Sequence, residues 1–171
     1  MTPVSRFSTR NRTESQEMGI LTDDMKRVVG EQRLGYIATV CPDGTPNLSP
    51  KGTTAVWDDD HLIFADIRSP QSVLNLDQNP AVEVNVVDPL VRKGYRFKGK
   101  ATVYRAGELF EHGCRMYRDM GLVNDIHAVV LIRVQRAVPL TSPAYDRGHT
   151  ETQIRARWLR YWHKLWYGVE E

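Results

Sequence analysis

The sequence carries only two cysteines, Cys41 and Cys114, and no Cys-x-x-Cys pair, which excludes a disulfide framework and a cysteine-only zinc site. A reducing, cytoplasmic setting is the expectation. Long apolar runs are missing as well. The longest uninterrupted aliphatic stretch, Ala128 to Ile132, falls far short of the roughly 20 residues that a spanning helix needs, so no membrane span is expected. Charge of one sign is scarce: 23 Lys and Arg against 21 Asp and Glu leave +2, which calls for neither a nucleic acid partner nor an anionic membrane. The sequence has no Gly-x-Gly-x-x-Gly, no Walker loop, no Gly-x-Ser-x-Gly elbow and no His-Glu-x-x-His, so the common nucleotide and hydrolase motifs are absent. Its five histidines, His61, His112, His127, His149 and His163, lie without metal-ligand spacing, and no metal is expected.

What remains is an ordinary globular composition, 41% hydrophobic and 26% charged, over a length that suits one core. Residues 1–20 read as a polar arm. Arg6, Arg10 and Arg12 stand there among Ser and Thr with no acid before Glu14, loosely like a targeting peptide but without a secretory apolar segment. Asn11-Arg12-Thr13 is a glycosylation sequon that lacks a secretory signal.

Residues 21–142 read as one domain. Thr22 is a good N-cap, with Asp23 and Asp24 where a helix N-terminus favours negative charge, and a helix is expected to about Gln32. Leu34 to Val40 reads as a strand, Pro42-Asp43-Gly44 as a turn, and Asn47 to Trp57 as the return strand; a polar Asp58-Asp59-Asp60 turn leads to a third strand, His61 to Ala65. Ser69-Pro70 opens a short helix that Pro80 ends. Ala81 to Asp88 and Tyr95 to Arg105 alternate as half-buried strands, the second setting Tyr95, Phe97, Ala101 and Val103 against Arg96, Lys98 and Lys100. A helix from Glu108 to about Met120 and a β-branched strand from Ala128 to Val138 complete the count. Successive antiparallel strands interrupted by helices predict a mostly β fold with α, a six-stranded antiparallel split β-barrel with flanking helices. The tail, 143–171, reads as a loop and an amphipathic aromatic helix from Thr150 to about Tyr167 that packs on the barrel or on a dimer partner. Its alternation of Arg155, Arg157 and Arg160 with Trp158, Tyr161 and Trp162 also suits a nucleic acid or membrane-surface contact.

Two segments stand out chemically. In Asn47-Leu48-Ser49-Pro50-Lys51-Gly52-Thr53-Thr54, small hydroxyls, a lysine and a glycine interrupt an expected apolar strand. Such a segment either lies against a ligand, with Gly52 admitting a bulky group and Lys51 supplying charge, or is a bulged edge strand with a solvated lysine. In Arg68-Ser69-Pro70-Gln71-Ser72 a helix N-terminus with two hydroxyls and a cation either holds an anion such as phosphate or is simply capped.

Taken in order, Leu34-Gly35-Tyr36-Ile37-Ala38-Thr39-Val40, Pro42-Asp43-Gly44, Ser49-Pro50-Lys51-Gly52, Leu62-Ile63-Phe64-Ala65-Asp66, and Ser72-Val73-Leu74-Asn75-Leu76 leading into Asn79-Pro80-Ala81-Val82 resemble the pyridoxamine 5′-phosphate oxidase-like family of FMN-binding split barrels. The resemblance spans roughly Thr22 to Pro139. It implies a homodimer with two FMN molecules between subunits. It further implies that Ser49, Pro50, Lys51, Gly52 and Thr53 line the ring or ribityl chain, that Ala65, Asp66 and Ile67 offer backbone contacts, and that Ser69, Gln71, Ser72 and Asn75 lie near the phosphate. Where many family members have a lysine or arginine this chain has Gln71, so the charge would come from Arg68 or from the row Arg96, Lys98 and Lys100. Arg96 is the candidate contact from a second subunit, or else part of a solvated strand face. No catalytic side chain is expected, because the flavin carries the chemistry; Lys51 would stabilise its reduced form. The characteristic C-terminal segment of the true oxidases is not evident. The expectation is therefore an FMN-dependent oxidoreductase acting on another small organic substrate. A non-enzymatic flavin- or haem-binding protein and a deazaflavin-dependent reductase are the alternatives.

Overall fold

A computed structural model describes residues 19–168. The expected arm, with Arg6, Arg10, Arg12 and the sequon at Asn11, lies outside the described residues except for its last two positions. Helix α1 (Asp23–Gln32) is capped by Thr22, whose hydroxyl accepts from the Met25 N–H, and it buries Val28 and Val29. Strands β1 (Gly35–Val40) and β2 (Pro46–Lys51) form a hairpin across the Pro42-Asp43-Gly44 turn, where Gly44 takes φ 82°. The expected return strand is not continuous. It breaks at Gly52-Thr53-Thr54, where the Thr54 hydroxyl donates to the Lys51 carbonyl at 2.9 Å, and resumes as the short β3 (Ala55–Val56), so the described residues form seven strands instead of six.

The chain continues through β4 (His61–Asp66), α2 (Pro70–Gln78), β5 (Ala81–Asp88), β6 (Lys93–Tyr104), α3 (Glu108–Asp119), β7 (Ala128–Thr141) and α4 (Glu151–Tyr167). All seven strands pair antiparallel in one sheet, in the order β2-β1-β5-β6-β7-β4-β3. The two strands at opposite ends of that order, β2 and β3, are joined in sequence only by residues 52–54. A flat sheet cannot satisfy that link, because neighbouring strands stand about 4.8 Å apart. The sheet therefore curls until its edges meet at residues 52–54, giving a half-barrel split along one side.

Alternation along the strands decides which side chains fill it. Ile37, Leu62, Phe64, Val84, Val86, Phe97 and Ile132 point inward and pack with α1 and α2. On the other face of β4 and β7, Ile63, Ala65 and Val129 form a second core beneath Cys114 and Tyr117 of α3. A register shift between Lys98 and Gly99 skips Gln135, kinking the long β6–β7 ladder. Helix α4 carries a full capping box, Thr150 with Gln153. Its first half docks on the barrel through buried Ile154, the Lys93–Glu151 pair at 3.0 Å, and Arg92, which lies 3.5 Å over the Trp158 ring. Leu159, Tyr161, Leu165, Trp166 and Tyr167 of its second half are exposed. Among the described residues no helix is long and apolar enough to cross a membrane, and no group of His, Cys, Asp or Glu is placed to hold a metal ion.

Candidate functional site

The opening of the barrel is built from the break between β2 and β3, the end of β4 and the start of α2. The burial pattern of β2 turns Pro46, Leu48 and Pro50 outward and Asn47, Ser49 and Lys51 inward, so three polar side chains line the barrel interior in a row. Lys51 is only 5% exposed. Its ammonium donates to the Ser49 hydroxyl at 2.9 Å and stands 5.8 Å from the centre of the Phe64 ring. Burial pushes its pKa below the ordinary lysine value, and the negative charge of Asp66 partly restores it.

Residues 52–54 are tied down on both sides. The Thr53 hydroxyl donates to the Ala65 carbonyl and accepts from the Ala65 N–H, both at 3.0 Å, while the Tyr117 hydroxyl donates to the Thr53 carbonyl at 2.9 Å. Thr54 packs so closely on the start of β1 that a Cβ on Gly35 would come within 2.5 Å of its hydroxyl oxygen. Gly52 is the contrasting case: a Cβ there would meet nothing within 4 Å, so its backbone faces open space. Next along the rim, buried Asp66 accepts from the Ser69 N–H at 2.9 Å, which fixes the loop through Ile67 and Arg68 at the entrance to α2. The Ser69 side chain makes no capping bond, and Pro70 occupies the first helical turn.

Ser72 and Asn75, expected beside the phosphate, are turned inward, 1% and 0% exposed. Asn47 donates to Thr39 at 3.1 Å and to Ser72 at 3.3 Å; Asn75 donates to Thr39 at 3.0 Å and accepts from Gln71 at 2.7 Å. The period of a short helix explains this placement, since positions 72, 73, 75 and 76 share the buried stripe that holds α2 on the sheet. The outward part of this helix entrance is therefore Arg68, Ser69 and Gln71.

Ser49, Lys51, Thr53, Ala65, Asp66 and Ser69 thus form one chain of contacts at the split. Arg96 does not join them. It lies on the outer face of β6, separated from β2 by β1 and β5, where it pairs with Glu83 at 2.9 Å; Lys98 holds the other oxygen of the same carboxylate at 3.0 Å. Sequence reasoning passed over Thr39, Phe64 and Tyr117. Thr39 was detectable, because it shares its strand parity with Ile37; the contact of Tyr117 with Thr53 bridges 64 positions and leaves no local signal.

Comparison with known proteins places this arrangement. A solved structure of HupZ from Group A Streptococcus is 32% identical, covers 71% of this chain and 94% of its own, and superposes with a TM-score of 0.66. An FMN-binding protein from Syntrophomonas wolfei, 13% identical, shares the fold over 71% of this chain and 87% of its own, with a TM-score of 0.60. An F420 reductase, 20% identical, does so over 68% and 98%, with a TM-score of 0.53. No curated protein matches the sequence. The family model described as pyridoxamine 5′-phosphate oxidase matches residues 21–163, from the start of α1 well into α4. A match of that length, carried by the half-barrel and its split, means that the chain belongs to the pyridoxamine 5′-phosphate oxidase family.

Proposed function

We propose that the chain binds FMN between two copies of itself and uses it to oxidise or reduce a small organic substrate other than pyridoxamine phosphate. The observation that carries this reading is the union of residues 51–53 with Ala65 and Asp66 at the barrel opening. The donor set suits the cofactor. Gly52 leaves its backbone approachable, and the Lys51 ammonium has three donors of which the Ser49 hydroxyl takes one. Ser49, Pro50, Lys51, Gly52 and Thr53 would hold the ring and ribityl chain, the backbone of Ala65, Asp66 and Ile67 would border it, and Arg68, Ser69 and Gln71 would face the phosphate. Ser72 and Asn75 would set the position of α2. The fold shared with a protein described as FMN-binding supports FMN, and the fold shared with an F420 reductase supports a deazaflavin as the alternative.

Bound FMN supplies hydride chemistry at N5. Lys51 would hold positive charge where negative charge develops in the reduced cofactor, in a setting where burial strengthens the interaction. The outer sheet face, with Tyr36 and Leu48 exposed beside Glu83, Arg96 and Lys98, is the surface offered to the second copy.

The test is the visible spectrum of the purified protein, followed by heat release and chromatography of any yellow ligand, with Lys51→Ala alongside. Released FMN, held more weakly by the variant, is the expected result. A protein that carries no flavin and binds none when FMN is added would remove the reading; a Soret band or deazaflavin absorption would replace the cofactor.

A further inference from the structure

Arg33, the residue that ends α1, takes the left-handed conformation, φ 52° and ψ 20°, while its N–H donates to the Val29 carbonyl at 3.0 Å. Glycine is the usual residue at such a helix end, because a Cβ there meets the following carbonyl. The chain keeps an arginine. Within the described residues that side chain has neither an ion pair nor a hydrogen bond, unlike Arg27 earlier in the same helix, which is held by Asp24 and Glu31. Arg33 is exposed and lines an open cleft of about 140 Å³ together with Gly52, Thr53, Tyr117, Met120 and Leu122, where it is the only charged residue among the described ones.

At about 30 Å³ per water, that volume holds roughly five water-sized groups, the size of a short organic acid. The walls are fixed by the Tyr117–Thr53 hydrogen bond and by the closing turn of α3, where the Leu122 N–H donates to the Tyr117 carbonyl at 2.9 Å. One guanidinium, a rigid polar wall and two apolar side chains match a carboxylate on a short carbon chain, since the planar fork of arginine pairs with both carboxylate oxygens. We infer that Arg33 recognises the anionic end of the substrate, a small organic carboxylate seated between the end of α1, Gly52-Thr53 and the end of α3. Calling the occupant a substrate rests on the proposed cofactor reading; the carboxylate site itself does not.

The full chain, without added flavin, would be titrated with sodium propionate and separately with propionamide, following the backbone amide resonances of Gly52, Thr53 and Gly121. Saturable shifts with propionate and none with propionamide are expected. Arg33→Gly should raise the melting midpoint by about 2–4 °C, because glycine suits the left-handed position, yet weaken propionate about tenfold or more. Arg33→Lys should keep part of the affinity. An Arg33→Gly protein that binds propionate as tightly as the parent, or a propionamide titration that matches it, overturns the assignment. If FMN does not bind but propionate binding needs Arg33, the cofactor reading alone falls; if FMN binds and propionate ignores Arg33, this inference alone falls.

Discussion

The two ends of the inward row on β2 are made of similar residues and live under different rules. At one end Asn47 belongs to a closed network with Thr39, Ser72 and Asn75, in which the amides and hydroxyls find partners within the protein. At the other end Lys51, nearly as buried as Thr39 and Ser72, has a single hydroxyl partner and open space beside Gly52. Burying polar groups is costly unless their hydrogen bonds are made, so a closed network reads as architecture, and the open end is where the proposed cofactor would supply the missing partners. The contrast separates structure from binding more sharply than residue type does.

The closed end should respond most to substitution. Asn75→Ala removes three hydrogen bonds, from Gln71, to Thr39 and to the Cys41 sulfur, from a site with no access to water and leaves a cavity under α2, so folding stability should fall by about 2–3 kcal/mol. Thermal or urea unfolding measures it. Well below the unfolding midpoint, FMN affinity should stay within about threefold of the parent; a selective loss of flavin without a loss of stability would show that the network is part of the binding site.

At the open end the sign reverses. Lys51→Met removes a charge that burial disfavours and keeps an unbranched apolar side chain in the same buried place, so stability should rise by about 1 kcal/mol while FMN affinity drops about tenfold. The pH dependence follows from the lowered pKa. In the folded state Lys51 gives up its proton before the unfolded chain does at the ordinary value of 10.5, so just below that pH the unfolded state binds more protons and stability from this residue grows as pH rises. Urea midpoints of parent and variant, compared from neutral pH upward, should converge in that window. A gap that widens with pH would mean that Lys51 is stabilised as the cation.

Strand order in sequence, helix caps and inward faces were legible because each has a local period. The β5 boundaries, Ala81 and Asp88, were readable from alternating valines, and Thr150 was readable as a cap. The break of the second strand was not, since Lys51-Gly52-Thr53-Thr54 alternates tolerably as a strand, and only closure of the sheet requires a corner there. The site was half visible. Ser49, Lys51, Gly52, Thr53, Ala65 and Asp66 were marked out by the misfit of their chemistry and by family resemblance, and they do meet at the split. Ser72 and Asn75 were read as lying near a phosphate because a helix N-terminus suggests a ligand; that the short α2 also uses them to grip the sheet was not read from the sequence. Arg33 lies in no motif; its meaning comes from a backbone angle and from the cavity it borders.

The smallest effect tests the outer face against the interior. Lys98 and Arg96 share Glu83, and Lys98 is opposite Arg136 in the ladder, as Lys100 is opposite Arg133, so cations outnumber the one carboxylate between them. Exposed pairs of this kind contribute little, because solvent screens them and like charges opposite one another repel. Lys98→Ala should therefore change monomer stability by less than about 0.5 kcal/mol, since Glu83 keeps Arg96. If this face meets a second copy, the same substitution acts where charges lose their water, and its effect appears in the dimer dissociation constant and weakens as salt is raised. Sedimentation of parent and variant at low and high ionic strength distinguishes the two. A dissociation constant untouched by Lys98→Ala and by salt would move the subunit contact off this face and leave Arg96 as a solvated strand residue.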